Sequence, residues 1–197
     1  MTYSIHDILR DARILLDCNA FDRPLIPTCD ADSRSFNELI ASKILTAARQ
    51  VMEEAPPALL APGRPVRSRL TWPEGVGRGM AILPLPDDFL RLLSVRLSDW
   101  HRPARIITDT DPDYRWQASP FAGLRGNPSR PVAVVCAQPQ GLVAELYASA
   151  AGLDVTLTMA QYAALPQIID GGLEIPRRLY DAFISRVGEL TRQSFTY

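Results

Sequence analysis

His101 follows Asp99 by two positions, and Asp109, Asp111 and Asp113 come shortly after it. An imidazole beside a carboxylate is the base half of a Ser–His–Asp hydrolase, and a carboxylate of the 109–113 stretch could serve the same ring. No G-x-S-x-G elbow or comparable nucleophile context accompanies it. The D-x-D-x-D spacing also opens a calcium loop. Its sixth position is Tyr114 where that loop needs Gly, and its twelfth is Pro120 where it needs Glu, so the stretch reads as a solvated acidic loop. His6 stands far from His101, and neither has a second ligand at metal spacing. Cys18, Cys29 and Cys136 are odd in number and form no C-x-x-C pair, which points away from a zinc site and from a disulfide framework. Gly75, Gly77 and Gly79 lack the G-x-x-x-x-G-K-[ST] pattern of a phosphate loop and open a strand, so they read as a hairpin turn. No catalytic group, metal or cofactor is expected.

Contact chemistry is better supplied. Trp100, Arg102, Arg105, Tyr114, Arg115 and Trp116 interleave aromatic rings with guanidinium groups, a mixture that stacks and binds phosphate or carboxylate. Lys43 is the only lysine among 21 basic residues. Arg makes bidentate contacts that Lys cannot, which fits an interface, although a coding bias toward Arg gives the same count. The net charge of −1 argues against a dedicated nucleic-acid coat, but the charges are unevenly spread. Residues 55–130 carry 11 basic and 7 acidic side chains, while 1–54 carry 6 and 9.

The elements that position these residues follow from periodicity. Residues 4–16 read as a helix with Ser4 as N-cap and Asp7 three positions on, and Ser35 with Glu38 forms a second box ahead of a helix that must end before Pro56-Pro57. The period then becomes two. Val66, Ser68, Leu70 and Trp72 share one face, "MAILPL" begins another strand, and the turn Pro86-Asp87-Asp88 leads into a run in which Leu93, Val95 and Leu97 face a core. Residues 104–108 read as a strand, and 132–137, 142–148 and 153–159 as an antiparallel meander with connections at Pro139–Gly141 and Ala151–Gly152. The loop 109–130 between them is long enough to imply function or ordering by a partner. Pro176 opens a last helix with Leu179, Phe183, Val187 and Leu190 as its apolar stripe.

The order predicts an α+β fold: a helical bundle from residues 1–55 and 174–197, with an antiparallel β-rich layer, 56–173, inserted between them. With 47% hydrophobic residues the chain can bury a real core. No apolar run reaches the roughly 18–20 residues of a membrane span, and "MTYSIHDILRDARILLD" lacks the basic and apolar regions of a signal peptide, so the expectation is a chain that works where it is made.

This order, the segment "LPLPDDFLRLLSVRLSDW", the variable loop before Pro131 and the closing helix after Ile175-Pro176 resemble the head–tail adaptor, or connector, proteins of short-tailed bacteriophages and related prophages, of the tail tubular protein A or gatekeeper type. The resemblance implies a virion structural protein, made in the bacterial host cytoplasm and placed at the head–tail junction. Copies would form a homo-oligomeric, dodecameric ring beneath the portal, extend the DNA channel and bind a downstream tail protein, with transient contact to packaged DNA. It also implies that helices 4–16, 36–54 and 176–193 carry portal and subunit contacts. Arg67, Arg69, Arg96, Arg102 and Arg105, with Tyr114 and Trp116, would then be the interaction residues. Two alternatives stand beside it: another phage head- or tail-completion protein, and a small hydrolase using His101 with a nearby carboxylate.

Overall fold

The computed structural model describes residues 1–16, 35–73, 79–119, 121, 123–147 and 155–194. In chain order these form β1 (Thr2–Ser4), α1 (Ile5–Leu15), α2 (Phe36–Glu54), α3 (Pro57–Leu60), β2 (Arg64–Pro65), β3 (Met80–Pro84), β4 (Phe89–Leu97) and β5 (Arg105–Thr108). There follow α4 (Tyr114–Gln117), β6 (Val132–Gln138), β7 (Gly141–Tyr147), β8 (Leu157–Ala164), β9 (Ile168–Ile169), β10 (Gly172–Glu174), a single 3-10 turn and α5 (Tyr180–Gln193). The class is α+β, as expected. The chain divides into two compact units, residues 1–60 with 165–197, and residues 61–164.

In the helical unit both predicted caps are built. Ser4 Oγ accepts the Asp7 amide at 3.1 Å, and Ser35 with Glu38 makes a reciprocal box, Ser35 N donating to Glu38 Oε2 at 3.0 Å. α2 buries Ile40, Ile44, Ala47, Ala48 and Met52 along one stripe, and α5 buries Phe183, Val187 and Gly188. Burial of each large aliphatic side chain contributes about 1.5–3 kcal/mol, which fixes these faces inward. Gly188 matters because Leu15 Cδ2 lies 2.9 Å from where its Cβ would stand, so α1 and α5 approach closely there. Arg186 Nε donates to Gln50 Oε1 at 2.8 Å and ties α5 to α2.

This unit also owns a small sheet that periodicity does not reveal. β1 pairs antiparallel with β10, which pairs with β9, so residues 165–173, read from the sequence as part of the β-rich insert, group with the helices. The turn between β9 and β10 carries Asp170 and Gly171 at positive φ, 50° and 71°. Pro176 precedes a 3-10 turn, Arg177–Leu179, before α5 begins.

The β-rich unit holds two sheets, β2-β8-β4 and β3-β7-β6-β5, around one core that draws Leu83, Leu97, Trp100, Ala133, Leu146 and Tyr162 from both. Residues 66–72 keep the expected alternation, with Arg67 and Arg69 exposed and Val66 buried, but they form no strand, only an isolated bridge at Thr71. Their backbone bonds change sheet along the way: Val66 N donates to Ala160 O, whereas Thr71 bridges Ile82 of β3. The hairpin expected at Gly75–Gly77 and the connection expected at Ala151–Gly152 lie outside the described residues, as do Cys18 and Cys29.

Three expectations are corrected. The meander stops after two strands: β6 and β7 form a hairpin, but β8 pairs with β4 and β2 instead of β7. Leu93 does not share the buried face of Val95 and Leu97. A register shift between Leu92 and Ser94 reverses the phase, so Leu92, 2% exposed, takes the core position and Leu93 is half-buried. Leu93 Cδ1 instead covers Gly63, whose φ of +73° and missing Cβ the approach requires. Finally β5 runs parallel to β6 within an otherwise antiparallel layer. A parallel pair cannot be closed by a tight turn and needs a crossover of about a dozen residues or more. That is the topological reason for the long segment 109–131.

Candidate functional site

The crossover carries bonds of its own. Asp111 N donates to Thr108 O at 3.1 Å, and Asp113 N donates to Asp111 Oδ1 at 2.9 Å, turning the chain into α4. Gln117, only 6% exposed, donates from Nε2 to Asp113 O and accepts the Gly126 amide on Oε1 at 2.9 Å. It is the link between the outgoing and returning limbs. The return closes with Asn127 Oδ1 accepting the Ser129 and Arg130 amides, a local turn that sets Arg130.

Between β5 and this crossover lies an open groove of about 310 Å³. Arg102, Arg105, Arg125 and Arg130 line it, facing a single carboxylate, Asp113. Arg105 reaches the groove because it shares a sheet face with Ile107, and strand register sets it beside Val132. Arg105 Nη1 binds Asp113 Oδ2 at 2.7 Å, with Asp111 Oδ2 at 3.8 Å from Nη2. Two of the three spaced aspartates are thus engaged by one guanidinium. Among the described residues no three His, Cys, Asp or Glu side chains are placed to share a metal ion.

Behind α4 is a second polar cluster. Glu145, 7% exposed, sits on β7 on the same face as Val143 and Tyr147, opposite the core face of Ala144 and Leu146. It accepts from Tyr147 Oη at 2.8 Å, from Tyr114 Oη at 3.3 Å and from Gln138 Nε2 at 3.2 Å. Burial first, then the Glu145 charge, raises the Tyr114 phenol above its ordinary value, and burial raises Tyr147 as well. The same two causes push the Cys136 thiol up to about 11, so at neutral pH it is a protonated, buried thiol. The cluster fastens the crossover to the sheet through Tyr114.

The seven residues proposed from sequence therefore do not form one site. Arg102 and Arg105 come together in the groove. Tyr114 faces Glu145, while Trp116, 39% exposed, lies under Arg115, whose guanidinium carbon stands 4.8 Å from the ring centroid. Arg67 and Arg69 lie on the exposed face of 66–72, and Arg96 is half-buried with Nε donating to Trp100 O at 3.2 Å; none of these three lines the groove. Sequence reasoning missed Gln117, Arg125, Arg130 and Glu145. Only Glu145 left a signal, a lone charge inside the alternating run "LVAELYA". His101 receives a hydroxyl partner, with Ser129 Oγ 3.1 Å from Nδ1, and Asp111 and Asp113 face Arg105 instead of the imidazole.

No family model matches the chain, and the search of curated proteins finds no significant relative. No helix among the described residues is long and apolar enough to cross a membrane.

Proposed function

We propose that the chain is a head–tail adaptor of a short-tailed phage or prophage, a structural subunit that assembles as a ring beneath the portal, extends the DNA channel and meets a downstream tail protein. The observation that supports this most is the partition of the chain. α1, α2 and α5, from its two ends, make one compact unit, and the β-rich insert closes as a unit of its own around a separate core. A subunit built so has one part for a portal and another for a tail, and its work is done by surfaces instead of a reacting centre. The turn at 86–88, which carried the resemblance, is a built feature: Phe89 N donates to Pro86 O at 3.0 Å, and Asp88 is bonded to β8. In this reading Arg67, Arg69 and the groove arginines are contacts to neighbouring proteins. Negative-stain imaging of the purified chain tests it: rings of the chain alone, or added density on the rings of a candidate portal, support the adaptor, and neither at high concentration contradicts it.

A head- or tail-completion protein would share the fold and change the partner. The hydrolase reading draws on the His101–Ser129 pair, but the ring nitrogen facing Ser129 is Nδ1, and no described carboxylate bonds the other nitrogen to orient the ring.

A further inference from the structure

We infer that the groove between β5 and the 109–131 crossover is a docking site for a protein segment that carries carboxylates beside apolar side chains. Its charge comes first. Arg105 already holds the Asp113 carboxylate at 2.7 Å, which shows how a carboxylate seats there, while Arg102, Arg125 and Arg130 make no ion pair among the described residues. Guanidinium forks bind carboxylates bidentately, and several around one concavity select an acidic ligand.

Leu124 supplies the apolar half of the recognition. Leu124 lines the groove and is 52% exposed, and on the same crossover Phe121 is 69% and Trp116 39% exposed. An exposed leucine beside arginines that make no ion pair among the described residues is the composition of a protein contact surface. The neighbourhood disfavours nucleic acid. Asp113 lines the groove and Asp111 lies 3.8 Å from the same Arg105 guanidinium, so Arg105 is already offset by carboxylates, and a duplex needs cations spread along a stripe, not gathered in a hollow of about 310 Å³. The inference stands apart from the adaptor reading, since the groove belongs to a single compact unit and needs no ring.

Calorimetric titration of the full chain with the capped peptide acetyl-Glu-Leu-Glu-Asp-Phe-Glu-amide tests it, with a short DNA duplex titrated in parallel. The peptide is expected to bind in roughly the micromolar to sub-millimolar range, and the duplex roughly tenfold more weakly. The double variant Arg125→Glu/Arg130→Glu should weaken the peptide by roughly tenfold or more, and Leu124→Ser by about threefold. Neither arginine is buried; circular dichroism checks the fold, and Arg125→Gln/Arg130→Gln replaces the charge reversal if that variant does not fold. Absence of peptide binding, peptide affinity unchanged by these variants, or tighter binding of the duplex than of the peptide overturns the proposal. None of these results bears on ring formation, which is read by imaging and by mass.

Discussion

Tyr162 and Asp88 lie 74 positions apart and are joined by a hydrogen bond from Tyr162 Oη to Asp88 Oδ1 at 2.8 Å; Arg64 Nη1 binds the other carboxylate oxygen at 3.0 Å. The acidic residues of "LPDDF" thus have a structural reason. Asp88 closes the turn before β4 onto β8, the strand that β4 pairs with. Tyr162 is 6% exposed, so removing its acceptor leaves a buried hydroxyl without a partner. Asp88→Ala is expected to lower stability by about 1–3 kcal/mol and Asp88→Asn by less, since the amide oxygen still accepts; urea unfolding measures both.

The bulge in β4 makes adjacent positions unequal. Val95 is fully buried, and Val95→Asp places a charge in the core without a partner, so soluble native protein is not expected. Leu93, displaced by the register shift, is half-buried, and Leu93→Ser should cost only about 1–2 kcal/mol and leave a folded protein. Expression and circular dichroism of the pair check the assignment, and equal damage from both would place Leu93 in the core.

Gln117 is the strut of the crossover. Gln117→Ala leaves the buried Gly126 amide unpaired at a cost of about 1–3 kcal/mol, concentrated in this segment. Trypsin should then cut at Arg115 or Arg125 several times faster than in the unaltered chain, as mapped by mass spectrometry of the fragments.

Stability should fall on the alkaline side. Tyr114, Tyr147, Tyr162 and Tyr180 are all raised above the ordinary value of 10.0, each first by burial, and Cys136 is raised from 9.0 to about 11. Above the ordinary values the unfolded chain has released protons that the native protein still holds, so stability decreases with pH. The contribution is complete below the unfolded pKa and is lost as pH rises through the folded one; for Cys136 that window runs from 9.0 to about 11. Urea unfolding at about pH 8 and about pH 10.5 should show the loss, and Cys136→Ala should reduce the difference between the two.

Local chemistry was legible from the amino acids. Ser4, Ser35 and Glu38 announced both helix starts because a cap is decided within four residues, and the two-residue period announced the end of β4 and the alternating exposure of 66–72, although that segment makes only an isolated bridge at Thr71 and no strand. Pairing was not. Nothing near 157–164 says that β8 joins β4 across the core instead of continuing from β7, and nothing near Thr2 says that it meets Glu174. The β9–β10 turn does carry a readable signal, Asp170-Gly171 after Ile168-Ile169. For the groove, Arg102 and Arg105 were visible as a basic cluster. Arg125, Arg130 and Gln117 join them only because β5 and β6 are parallel, which brings the two ends of the crossover together.

The adaptor reading is tested most directly by mass. Light scattering on the purified chain, alone and mixed with a candidate portal ring, is expected to give either a closed oligomer or a monomer that joins the portal in stoichiometric copies matching its symmetry. A monomer whose mass is indifferent to concentration and to any portal would contradict that account and return attention to the His101–Ser129 pair.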